Sequence, residues 1–239
     1  MWATTDDFRL VFWIAAVPAF FAVALLVLGV REPDAARPLG SERTPLRMSG
    51  LWELGAAYWW LVIVAAVLTL ARFSEAFLLL RAQGVGLDVT VVPLVLVLMN
   101  LVYALAAYPA GHLSDRMGRR TLVALGALVL IGSDIVLARA TAVSHALLGA
   151  GLWGLHMGLT QGLFAALVSD TTPAPLRGTA FGIFNLVGGV AMLIASVLAG
   201  WLWSRYGAPA TFYAGAAFTV LALGALALSP RHGRLRDAA

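Results

Sequence analysis

The sequence predicts an all-α membrane protein of about seven transmembrane helices. Three observations carry that reading. Of its 239 residues 61% are hydrophobic and only 12% charged, about half the charge of an ordinary soluble domain. The mean hydropathy is +0.89. Uncharged apolar runs of about 20 residues, the length a helix needs to cross the hydrocarbon core, recur along the whole chain.

At about 20 apolar residues per span, helices are expected at roughly 10 to 30, 55 to 80, 89 to 111, 121 to 138, 145 to 168, 178 to 203 and 208 to 228. The second and sixth are the longest and are expected to tilt or bend. The start of the chain carries Asp6 and Asp7 where a cleaved signal peptide would be basic, so the first span is expected to stay attached.

Arginine placement gives an orientation. One set of loops holds Arg31, Arg37, Arg43, Arg47, Arg116, Arg119, Arg120, Arg177, Arg231, Arg234 and Arg236; the opposite set holds Arg9, Arg81, Arg139 and Arg205. The richer set marks the cytoplasm, which puts the C-terminus inside and, with seven spans, the N-terminus outside. Arg31 to Gly50 is the one long connection. Pro33, Pro38 and Pro45 among charged residues give it the character of a flexible polar linker. The chain thus divides into a first helix (1–30), a cytoplasmic linker (31–50), a six-helix bundle (51–230) and a cytoplasmic tail (231–239).

Cysteine and lysine are both absent. No disulfide, thiolate metal site or cysteine nucleophile is available, and the missing lysine excludes a retinal Schiff base. The pI near 10.1 comes from arginines in short loops, so no nucleic-acid partner is expected. No HExxH, GxSxG or phosphate-cradling GxxxxGK[ST] pattern occurs. Neither an enzyme nor a bound cofactor or metal is expected, and lipid is the first partner.

Between the third and fourth spans stands GHLSDRMGRR, Gly111 to Arg120. Gly118 suits a tight reversal, and Gly111 would let two helices approach closely. Asp115 could accept from Arg116 or face a positive helix end, while Arg119 and Arg120 hold the loop on the cytoplasmic side. Gly111, Leu113, Asp115, Arg116, Gly118, Arg119 and Arg120 match the pattern of the signature loop of the major facilitator superfamily, which this segment resembles. That family's transporters have two six-helix halves joined by a cytoplasmic linker, with the loop after the second helix of each half.

The resemblance implies that residues 51–239 are a C-terminal half and residues 10–30 the last helix of an N-terminal half, so the chain would be part of a longer protein. The other half, or a second copy, would then be its partner. In the family this loop packs across the interface between halves, which would leave Asp115 without its counterpart. PAPLRGTAFGIFN, Pro173 to Asn185, adds a cytoplasmic turn with Gly178 and Gly182 four apart. Gly154, Gly158 and Gly162, and Ser196 with Gly200, repeat a small-residue spacing suited to helix packing.

Ionisable groups inside spans mark pathways or paired structure. Arg72 and Glu75 are three apart and on one helical face, where they can pair; Glu75 is a candidate proton acceptor at the outer end of a central cavity. Asn100, Tyr103, His156, Gln161 and Asn185 lie in helices that the resemblance makes cavity-lining, and packing alone is the competing account of His156. Asp134 with Arg139 reads as an interfacial pair. The function expected is transport of a small solute by alternating access, driven by a gradient of protons or another ion, across the inner membrane of a bacterial cell. The alternatives are a seven-span receptor, against which the signature loop and the short tail stand, and a truncated product without activity.

Overall fold

The computed structural model describes residues 8–29 and 54–228. Linker and tail lie outside these residues. Contacts divide the chain into two units, Met1–Arg47 and Met48–Ala239. The first contributes one helix, α1 (Phe8–Gly29), 22 residues long with Pro18 inside it.

The second unit holds six helical stretches long and apolar enough to cross a membrane. The first is made of two pieces, α2 (Ala56–Ala71) and α3 (Ala76–Gly84). There follow α4 (Leu94–Met117), α5 (Arg119–Ala138), α6 (Val143–Thr171), α7 (Arg177–Tyr206) and α8 (Ala208–Leu228). No strand occurs among the described residues. The ends agree with hydropathy to within a few residues, save that α4 starts and stops later than expected. Its start is delayed by a turn in which Thr90 donates to Asp88 Oδ1 from Oγ1 (2.6 Å) and from its backbone N–H (2.8 Å). Those two bonds, the hydroxyl's first, hold the Asp88 carboxyl below the usual carboxylate range.

Most of the signature segment is helix. Gly111 to Met117 form the last turns of α4, and only Gly118 leaves helical geometry, at φ 83°. A side chain there would strain the backbone, so glycine is what lets α5 begin immediately.

In the Met48–Ala239 unit, α6 packs most extensively, against α4 on one side and α5 on the other, while α8 packs on α5 and α2. Gly154 and Gly158 make the α4–α6 approach possible. A methyl on Gly154 would run into the Met99 carbonyl, and one on Gly158 would stand 2.6 Å from Ala106 Cβ and 3.0 Å from the Tyr103 oxygen. The core is aromatic at one end: Phe73 lies 5.4 Å, ring centre to ring centre, from both Phe77 and Trp153, and 5.6 Å from Phe212. Near the other end Tyr58 donates to the Ala180 carbonyl at 2.8 Å, tying α2 to α7.

Other expectations about small residues do not hold. Nothing approaches the Cβ position of Gly111, Gly162, Gly178 or Gly182 within 4 Å. These glycines lie on surfaces that this unit leaves uncovered. Burial falls from 56% in the most apolar stretch of α6 to 17% in α4 and 11% in α7. In those two helices the unburied residues are mostly apolar, Leu101, Leu105, Leu186 and Leu193 among them.

Candidate functional site

The break between α2 and α3 is the centre of the polar constellation. Arg72, Phe73 and Ser74 are non-helical and Glu75 is in a turn. The Arg72 N–H turns back to the Thr69 carbonyl at 3.0 Å, and the Ser74 carbonyl and Oγ accept from the N–H groups of Phe77 (3.1 Å) and Ala76 (3.3 Å). Serine thus supplies a local alternative to the continuous ladder. Phe73 leaves the helix line and is buried in the aromatic cluster, 3% exposed. The expected pairing of Arg72 with Glu75 on one helical face is therefore corrected. The chain is not helical between them, and they form no ion pair among the described residues.

Both side chains are half-buried. The Arg72 guanidinium is close enough to Glu75, to Tyr103 of α4 and to His156 of α6 for charge to act between them. The Arg72 side chain itself makes no hydrogen bond or ion pair among the described residues. The remaining polar candidates lie elsewhere: Asn100, Gln161 and Asn185 are all exposed, and Asn100 donates to the Leu96 carbonyl of its own helix at 2.8 Å.

His156 is fully buried and turned toward α5, where Nδ1 lies 2.8 Å from the Gly126 carbonyl. A carbonyl only accepts, so Nδ1 carries the hydrogen. Nε2 has no partner among the described residues. This geometry makes His156 a tie between α5 and α6.

Two arginines of the signature segment make specific contacts. Arg119 forms an ion pair with Asp170 near the end of α6, and Arg120 donates to the Leu226 carbonyl and, at 3.2 Å, to that of Ala227 at the end of α8. Asp115 and Arg116 are exposed, and neither side chain has a hydrogen bond or ion pair among the described residues; the expected acceptance by Asp115 from Arg116 is not seen. At the opposite end of the bundle Arg81, on α3, donates from Nε to the Leu137 carbonyl (2.8 Å). Its Nη2 donates to the carbonyls of Ala138 (3.2 Å) and Ala140 (2.7 Å). A span-end arginine in the sequence gives no sign of such a clamp.

Asp134 is the other correction. It is fully buried, and neither oxygen has a partner among the described residues, while Arg139 is exposed. The two make no interfacial pair.

The model of the Major Facilitator Superfamily matches residues 61–238, a stretch that includes Arg72, Glu75, Tyr103, Asp134 and His156. The chain belongs to the major facilitator superfamily. An uncharacterized transporter of the superfamily's type from Methanocaldococcus jannaschii is 29% identical over 90% of this chain and 54% of its own length. An uncharacterized protein of Mycobacterium tuberculosis is 29% identical over 80% of this chain and 47% of its own length. The multidrug resistance protein MdtL of Klebsiella pneumoniae is 27% identical over 44% of this chain and 26% of its own length. The chain thus spans about half the length of the first two relatives. Membership, with six helices long and apolar enough to cross a membrane, makes it an integral, multi-pass membrane protein of a transporter family.

Proposed function

We propose that residues 51–239 are the C-terminal half of a facilitator-type transporter. It moves a small solute by alternating access, driven by a gradient of protons or another ion. The observation that carries this is the break in the first span of a superfamily bundle, which leaves Arg72 and Glu75 half-buried and out of the helix. Broken helices leave backbone and charge available at depth, and are tolerated where they line a cavity or are covered by protein. Exposed Asn100 and Asn185, on the largely uncovered helices α4 and α7, extend the polar surface available to a solute or to a second half. That second half, or another copy of this chain, completes the pathway and supplies the partner of Asp115. The arginine distribution supports a cytoplasmic signature loop and C-terminus in a bacterial inner membrane. Relatives named for multidrug resistance and, in Staphylococcus epidermidis, for glucose transport favour an uncharged or amphipathic solute.

Everted membrane vesicles containing the chain, energised by respiration and loaded with a pH-sensitive dye, test this reading. Adding a panel of amphipathic drugs and sugars one at a time should collapse part of the pH gradient for at least one class. That response should be lost in Arg72→Ala. A panel that leaves the gradient unchanged in vesicles carrying the folded protein argues against proton-linked transport. Repeating it with a sodium gradient and labelled solutes covers the other ion.

A further inference from the structure

Asp134 lies one turn from the end of α5 and is sealed from solvent on every side. A Cβ built on Gly215 of α8 would stand 2.8 Å from its Oδ2 and 3.2 Å from the ring of Phe73. The carboxyl therefore sits where α5, α8 and the helix break meet, and Gly215 leaves the room it occupies. The nearby Thr219 hydroxyl is committed to the Gly215 carbonyl at 2.9 Å.

The charged and titratable groups on the surrounding elements do not reach it. Arg72 and Glu75 flank Phe73 in the break, and Arg81 of α3 is engaged with the carbonyls of Leu137, Ala138 and Ala140. His156 of α6 is bonded to Gly126; Arg139 on α5 and Tyr213 on α8 are exposed. A bare carboxylate here would have neither water nor a donor, a costly arrangement. The packing accommodates the neutral acid, and a buried polar group left without a partner in a native fold calls for a role.

We propose that Asp134 is a proton-binding site within this bundle. The carboxyl holds its proton while α5, α8 and the break are packed as described. It transfers that proton to water when Gly215 and Phe73 separate and water reaches Oδ2, and regains one from water before the packing closes again. Binding of the proton stands by itself; only its use in driving a solute rests on the transporter reading.

Infrared spectroscopy of the chain in lipid vesicles tests the site. The wild-type protein should show the C=O absorption of a protonated carboxylic acid at neutral pH. That band should shift in D₂O, disappear at alkaline pH and be absent from Asp134→Asn. No such band at neutral pH, a band unchanged in Asp134→Asn, or one that persists at every pH in which the fold survives would overturn the proposal. Should Asp134→Asn fail to fold, Gly215→Ala places a methyl against the carboxyl and must displace the band, and an undisplaced band counts against the assignment. The predicted band supports the site whether or not solute flux is found.

Discussion

Arg81 holds three carbonyls at the end of α5, groups that a helix terminus leaves without intrahelical partners. Arg81→Met keeps most of the stem and removes the donors. We predict a loss of about 2 kcal/mol, within the range for hydrogen bonds to a charged group and moderated by partial exposure. Thermal unfolding in detergent would show it as a lowered Tm, and an unchanged Tm would mean that water replaces the guanidinium without penalty. At Gly118 the positive φ alone sets the expectation: Gly118→Ala should cost about 1 kcal/mol, measured by the same melt. Legibility differed between these two residues. A reversal at Gly118 could be read because glycine's permissiveness is local, whereas Arg81 showed only its sidedness, and Arg119 and Arg120 only that and their place in the signature pattern. Their partners are backbone carbonyls and Asp170, distant in sequence, and nothing in a loop count points to them. The expected pairing of Asp134 with Arg139 fails for a related reason. The neighbouring arginine suggested a pair, but side-chain burial follows from which helix face meets α8, and pairing of helices is not written in one helix.

Among the elements, the close approach of α4 and α6 depends on Gly154 meeting the Met99 backbone. Gly154→Leu should push the helices apart and destabilise the bundle by about 1–3 kcal/mol, the usual range for overpacking, while Gly162→Leu, with open space around it, should melt as the wild type does. Equal melting of both variants would show that the contact contributes little. The same pair shows how far a small-residue spacing can be read. It marks faces that could pack closely, and the fold uses Gly154 and Gly158 but leaves Gly162, Gly178 and Gly182 uncovered. Helix positions were legible from hydropathy because the bilayer imposes a length on every span. The break at 72–75 was legible only as an expectation that the second span would bend. There Ser74 accepts the local N–H groups, and Phe73 inserts among Phe77, Trp153 and Phe212, a tertiary event that no local pattern announces.

At the scale of the whole molecule, six spans among the described residues form one packed unit whose helices α4 and α7 remain mostly uncovered. The arginine count predicts that a reporter fused after Ala239 is active in the cytoplasm; activity on the other side would invert every assignment of sidedness. Family membership was legible from ten residues, because that segment combines a helix end, a forced reversal at Gly118 and charges at a fixed spacing. The solute was not legible, since Arg72, Glu75 and Tyr103 offer charge and a hydroxyl without a shape. The central claim is that this bundle borders an aqueous solute pathway, and the absence of cysteine makes one measurement direct. Single cysteines at Asn100, Tyr103 and Asn185 in membrane vesicles would be reacted with a membrane-impermeant maleimide, with Leu130→Cys, fully buried in the core, as a protected control. The account predicts that Tyr103→Cys and at least one of the asparagine positions react while the control does not. Uniform protection at all three polar positions, in vesicles where the protein is folded, would contradict it.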